Sequence, residues 1–291
     1  MDVFVFQMGK VGSSAMTVAL RERGLNAVQT HWLGKETLYE SLEHSLLNVD
    51  LEDEIAFRGE QEWLQNLRNT RTLLWYQKHR HRHGQRLKII TLGRDPLSWY
   101  WGHLAENFDL YGPCIQQWYQ QTFQQAPQDM GEANQAFHQA MFECFGRIDV
   151  DVIDPAFPDA AIQQQVNGVS VRFLAEQMMK VRLPTVWFDV FFKPVLGIDI
   201  FQRPIHEGVA RFDNDYAEVL LIRYEALQNA LGTLREFLHL DELTLPVTNQ
   251  TAAKELPFDL TGFAKEFEPD EKGRAALYRT PYCRHFGYRT R

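Results

Sequence analysis

The sequence predicts an α/β protein built on a parallel sheet flanked by helices. Three observations point there. Four short segments rich in β-branched and aromatic residues each run into turn or helix-start residues, as strands do. Helical patterns lie between them, and strand alternating with helix implies parallel pairing through right-handed crossovers. Length is the third: 291 residues, 45% hydrophobic and 23% charged, suffice for one large core without metal or disulfide staples.

The first strand is Val3–Phe6, and a helix follows from Ser14 to Arg23. The second strand, Ala27–Thr30, precedes helical patterns over Lys35–Leu46 and Trp63–His79. The third is Leu87–Leu92 and the fourth Glu218–Ile222, with a helix from Glu225 to Leu240 behind it. Strands one, three and four are nearly continuous apolar runs, as expected where both faces of a sheet are covered. Between the third and fourth lies a long insertion, about residues 105–211. Its helical patterns (Cys114–Gln125, Asn134–Cys144, Val169–Lys180) are separated by a Pro- and Asp-containing loop, Asp149–Asp159. It reads as a helical cap on the α/β core, so residues 1–291 form a single domain. From Leu256 onward the pattern is mixed loop and helix and ends basic, with Arg279, Arg284, Arg289 and Arg291.

Composition narrows the function. Net charge is −8, which argues against a general nucleic-acid binder while leaving room for a local basic pocket. The three cysteines, Cys114, Cys144 and Cys283, are far apart and read as reduced thiols, not a disulfide framework or zinc site. The most apolar segment, from Val186, is broken by Asp189, Lys193 and Asp199, so no transmembrane span is expected. With no basic n-region at the start, the expectation is a cytoplasmic protein. The basic tail alone is too little to assign a peripheral membrane contact, and that question stays open.

Chemistry concentrates after the first strand, in Gln7-Met8-Gly9-Lys10-Val11-Gly12-Ser13-Ser14. A turn of small residues opening a helix is P-loop-like: it offers free backbone N–H groups and the positive end of the helix dipole to a phosphate. Lys10 adds a full charge, and Ser13 and Ser14 add hydroxyls. It is not a Walker A motif, because Lys10 precedes the second glycine and is followed by Val11, without the magnesium-binding hydroxyl. The plainer alternative is a tight strand–helix turn with a solvated lysine. A second element, Ile89-Ile90-Thr91-Leu92-Gly93-Arg94-Asp95-Pro96, sets Arg94 at the carboxyl end of a buried strand, where open α/β sheets bind ligands. Its guanidinium suits bidentate phosphate recognition, and Pro96 with Ser98 opens another helix. Pairing of Arg94 with Asp95 or another carboxylate is the alternative. A third, Leu220-Leu221-Ile222-Arg223-Tyr224-Glu225, reads as structural.

The K-x-G-S-S turn, then strand-R-D-P-helix, then strand-R-Y-E-x-L resembles the sulfotransferase superfamily, whose donor is 3′-phosphoadenosine 5′-phosphosulfate (PAPS). More closely, it is similar to a bacterial group of capsular polysaccharide synthesis proteins in that superfamily. Supporting phrases are MGKVGSS, Thr185–Asp189 with Gly197–Asp199, and Tyr282–Tyr288, in order along the whole chain. The resemblance implies that Gly9, Lys10, Val11, Gly12, Ser13 and Ser14 bind the 5′-phosphosulfate, with Lys10 on the bridging oxygen that becomes the leaving group. It implies that Arg94 holds the 3′-phosphate. Family members carry a serine eight positions later, where this chain has Gly102, so Ser98 is the substitute hydroxyl or 3′-phosphate binding is weakened. Superfamily members place a His or Glu at or just after the end of the second strand, where His31 lies. Histidine suits removal of a hydroxyl proton near neutral pH. Glu36, His103 and Glu106 are alternatives, and a packed strand-end histidine is the structural one. The implied reaction is in-line sulfuryl transfer from PAPS to a hydroxyl of a glycan, glycolipid or other small compound. It releases adenosine 3′,5′-bisphosphate (PAP) and needs no metal. Trp99, Trp101, Trp118 and Tyr119 are expected to line the acceptor site.

Two other readings stand beside it: an ATP-dependent kinase-like phosphotransferase, and a non-catalytic protein of this fold in capsule assembly. His79, His81 and His83 alternate with Arg80 and Arg82 in a basic connection with Lys78, Arg86 and Lys88, more simply a solvated loop than a metal site. An acidic polymer is one conceivable ligand of that connection. Asp149, Asp151 and Asp154 read as a solvated loop.

Overall fold

A computed structural model describes residues 2–31, 33–35, 38–39, 54–83, 86–147, 171–245 and 258–289. The chain divides into two compact units, Met1–Gly93 with Trp187–Thr248, and Arg94–Val186 with Asn249–Arg291.

The first unit is α/β. Strands β1 (Asp2–Phe6), β2 (Asn26–Thr30), β3 (Leu87–Gly93), β4 (Val209–Asp213) and β5 (Ala217–Arg223) form one sheet in the order β2-β1-β3-β5-β4. All pairings are parallel except β4 with β5. Helices α1 (Ser13–Glu22) and α2 (Glu54–His83) follow β1 and β2. The apolar runs are core strands as the pattern predicts: β3 is buried at every position. Lys88 is the exception in kind. It is buried opposite Glu218 in the β3–β5 register, 2.6 Å from its carboxylate and 4.6 Å from the Phe237 ring centroid. It therefore belongs to the sheet and not to the basic connection, while Arg86 pairs with Asp213 at 3.2 Å.

Three readings change. Strand β4 straddles the end of the segment taken as insertion. Its short Val-Ala-Arg-Phe-Asp pattern is an antiparallel edge, joined to β5 where the Asn214 side chain accepts from the N–H of Tyr216 and Ala217. The helix expected over Glu225–Leu240 is a 3₁₀ turn at Tyr224–Ala226 followed by a shorter helix, Leu231–Leu238. Asn229, a weak helix former, falls in the stretch that fails to join the two. The loop holding His79, His81 and His83 is the last turn of α2. The expected helix Lys35–Leu46 and loop Asp149–Asp159 fall mostly or wholly outside the described residues. Among those described, no helix is long and apolar enough to cross a membrane.

The second unit is helical. Its elements include α3 (Pro96–Glu106), α4 (Phe108–Phe123), α5 (Met130–Arg147) and most of α6 (Val171–Trp187). After the short helix α7 (Lys193–Leu196) and α8 (Leu231–Leu238) of the first unit, it is completed by α9 (Leu260–Glu266), α10 (Glu271–Tyr278) and α11 (Pro281–Phe286). Its core is aromatic, with polar side chains buried among the rings. His138 is fully buried, with ring centroids of Trp101, Phe137, Phe263 and Phe267 between 4.8 and 5.9 Å away. Its Nδ1–H donates to the Asn134 carbonyl at 2.8 Å, which leaves Nε2 to accept from the Tyr100 hydroxyl at 3.0 Å. Burial in this cage pulls the His138 pKa down to about 4.

Candidate functional site

The sheet order locates the place to look. From β1 the chain moves to β2 on one side and then returns past β1 to β3 on the other. Open α/β sheets bind ligands at such a reversal, outside the carboxyl ends of the strands. The loop Gln7–Gly12 leaves β1 there.

Its backbone is turned back on itself. Gly9, Lys10 and Gly12 have φ of 85°, 53° and 76°. Runs of amides in alternating hand form concavities that receive anions. Lys10 is the costly member, since a side chain in the left-handed region is strained, and such strain concentrates at functional sites. Gly12 is the N-cap of α1, where no side chain caps the helix among the described residues and the first turn carries no acid. The positive end of the α1 dipole therefore meets no compensating carboxylate of its own turn. A Cβ at Gly12 would also come within 3.2 Å of the Tyr224 ring. Val11 and Ser13 are buried, and exposed Ser14 donates from Oγ to Gln29 Oε1 at 3.1 Å.

His31 closes one side of this loop. Its Nδ1 is 2.8 Å from the Gln7 carbonyl, which makes Nδ1 the protonated nitrogen and Nε2 the lone-pair nitrogen. Gln29 Nε2 donates to His31 Nε2 at 3.3 Å. Gln7 itself is buried; its Oε1 accepts from the Gly9 N–H and its Nε2 lies 3.3 Å from His31 Nδ1. A Cβ on Gly9 would stand 3.8 Å from His31 Cε1. The loop, His31, Gln7 and Gln29 are thus one polar network inside the first unit. Sequence reasoning missed both glutamines as positioning residues. Gln7 had a signal, being the polar residue that ends an otherwise apolar strand.

In the second unit, Arg94 is held by its backbone. The buried Tyr282 hydroxyl accepts from the Arg94 N–H and donates to the Arg94 carbonyl, both at 2.8 Å. Asp95 caps α3 through the Ser98 N–H at 2.8 Å, and its other oxygen accepts from the Tyr278 hydroxyl at 2.8 Å. The guanidinium lies beside Gly102: a Cβ there would be 3.3 Å from Arg94 Nη1. Ser98 is exposed one turn earlier on α3. Tyr278 and Tyr282 follow no spacing that a sequence reading ties to Arg94, although Tyr282 opens the YCRHFGY phrase. Next to Tyr282, burial pushes the Cys283 thiol up to about 12.

The chain matches no family model, no curated protein and no solved structure.

Gly9 through Ser14 and His31 come together in the first unit, and in the second Arg94 precedes the helix that carries Ser98 in its first turn and Gly102, beside the Arg94 guanidinium, further on. His103 and Glu106 lie further along α3. The His103 ring stacks on Trp99 at 5.2 Å and approaches the Tyr111 hydroxyl at 3.4 Å, a packed setting. Glu36, Asp149, Asp151 and Asp154 lie outside the described residues. Trp99, Trp101, Trp118 and Tyr119 do not form an open acceptor lining, since all four are buried in the aromatic core. Arg223 pairs with Glu225 at 3.3 Å while Tyr224 packs against Gly12, as a structural role predicts.

Proposed function

We propose that the protein is a PAPS-dependent sulfotransferase with a P-loop-like phosphosulfate loop at Gly9–Ser14. The observation that carries this reading is the turn itself: a lysine held in a left-handed conformation between two left-handed glycines, ahead of an uncapped helix N-terminus. That arrangement presents backbone N–H groups, a dipole and an ammonium to one anion. Strain at Lys10 has a use if it turns the amides and the side chain toward a phosphosulfate.

In this reading the acceptor hydroxyl oxygen attacks sulfur in line as the bond from sulfur to the bridging phosphate oxygen breaks. The electron pair stays on that oxygen, where Lys10 and the α1 N-terminus stabilise it, and PAP departs. The acceptor proton goes to His31 Nε2, the nitrogen that the Gln7 carbonyl leaves unprotonated. Gln29, now on Nε2, yields its place to the acceptor. Little covalent work falls to the protein, so positioning and charge stabilisation dominate. The resemblance assigns the donor's 3′-phosphate to Arg94, with Ser98 the substitute hydroxyl, and acceptor recognition to the helical segment of the insertion.

The test is turnover. PAP release from PAPS, measured with a panel of glycan and glycolipid hydroxyl acceptors, is expected from the wild type. His31→Gln is expected to lower kcat by about 10²–10⁴-fold, the usual worth of general base catalysis, with the donor still bound. Phosphate transfer from ATP instead, or a His31→Gln variant as fast as wild type, would contradict the assignment.

A further inference from the structure

The described part of helix α2, residues 64–79, buries polar side chains and exposes apolar ones. Over its described side chains, the residues turned inward are Asn66, Asn69, Thr70, Leu73 and Tyr76, three of them polar. On the opposite side, Leu64, Leu67, Leu74 and Trp75 are 37–45% exposed. At 100° per residue these four fall within about 100° of the circumference, along a stripe of roughly 16 Å. Single exposed leucines are ordinary on a protein surface, but four large apolar side chains aligned outside a partly polar inner face are not.

Among the described side chains of that face the charge has one sign. Arg68, Arg71 and Lys78 are exposed among the apolar residues. No acidic residue occurs anywhere between Glu62 and Asp95 in a chain whose net charge is −8. In a chain of that net charge, this stretch carries the sign that an anionic surface attracts. Leucine and tryptophan interleaved with arginine and lysine, along a helix lying flat, is the composition of an interfacial helix.

We infer that α2 is a docking face for an anionic lipid bilayer surface, with Leu64, Leu67, Leu74 and Trp75 entering the headgroup boundary and the basic residues meeting lipid phosphates. A polyanion such as an acidic polysaccharide shares the charge but has no use for the leucines, and that difference separates the two. The inference does not rest on the sulfotransferase reading, since α2 carries none of the residues assigned to donor or acceptor.

The experiment is flotation of the full chain with vesicles of phosphatidylcholine and phosphatidylglycerol in equal parts, beside pure phosphatidylcholine, at low and high salt. The wild type is expected to float with the anionic vesicles only, and less at high salt. Arg71→Ala and Lys78→Ala are each expected to lower partitioning about fivefold, the usual worth of one basic residue at such a surface. The double variant Leu74→Ser, Trp75→Ser is expected to lose binding at both salt concentrations, and Leu67→Ser serves if the double variant misfolds. Absence of wild-type flotation would overturn the inference. So would apolar variants that float as well as wild type, or dextran sulfate that competes while the serine substitutions have no effect.

Discussion

Lys10 offers a perturbation in which stability and binding are expected to move in opposite directions. At φ 53° its side chain sits in the left-handed region, which costs a residue bearing a Cβ about 1–2 kcal/mol. Lys10→Ala removes the ammonium but keeps the Cβ and therefore the strain. Lys10→Gly removes both, and returns part of the gain because a glycine has more unfolded freedom to lose. The difference leaves Lys10→Gly more stable than Lys10→Ala by about 1 kcal/mol. For a unit of this size that is a rise in Tm of about 2–4 °C. Thermal and urea unfolding of the matched pair measure it. Donor binding is expected to fall in both variants by the same factor, about 10–100-fold for one hydrogen bond to a charged group. A Lys10→Gly protein no more stable than Lys10→Ala would mean that the turn does not force position 10 to the left-handed side, and the anion-binding geometry built on it would go with that result.

Three further outcomes follow from particular residues. His138 must stay neutral in its aromatic cage, with a pKa near 4 against an unfolded value of 6.5. Its contribution, about 3 kcal/mol, is therefore fully present above pH 6.5 and is lost as pH falls toward 4. Urea midpoints over that range should slope by up to one proton more in the wild type than in His138→Gln, and equal slopes would refute the assignment. Gly102→Ser places a Cβ 3.3 Å from the Arg94 guanidinium, whose flexible tip can yield. It is expected to favour adenosine 3′,5′-bisphosphate over adenosine 5′-monophosphate about tenfold more than wild type does, and an unchanged ratio would separate Gly102 from the 3′-phosphate. Cys114 is half-buried, whereas burial raises the thiol pKa of both Cys144 and Cys283. A thiol reagent on the native protein should modify Cys114 first and the other two only on unfolding; early loss of Cys283 would contradict the packing around Tyr282.

The core strands were legible because burial on both faces leaves a nearly continuous apolar run, as in Leu87–Gly93. Strand β4 was not, because an edge strand of five residues needs only every second position apolar, and Ala210 and Phe212 alone carry that pattern. The alternating histidines looked like a loop since Arg and His hold no helical periodicity, yet α2 runs through them. At the site, the small residues and Lys10 announced the turn through spacing. Gln29, Tyr278 and Tyr282 were silent, because their work is to hold neighbours through hydrogen bonds that no local pattern encodes. The aromatic residues misled in the other direction: Trp99, Trp101, Trp118 and Tyr119 have the chemistry of a sugar platform, but their positions put them in a core.

The central claim is that the Gly9–Ser14 loop binds the phosphosulfate end of an adenosine 3′-phosphate donor. Calorimetric titration of the purified protein with adenosine 3′,5′-bisphosphate, beside ADP and ATP and without magnesium, tests it most directly. The account predicts selective binding of the bisphosphate, lost in Lys10→Ala and in Arg94→Ala, with both variants folded. Equal binding of the three nucleotides, binding of none, or bisphosphate binding that survives Lys10→Ala would contradict it.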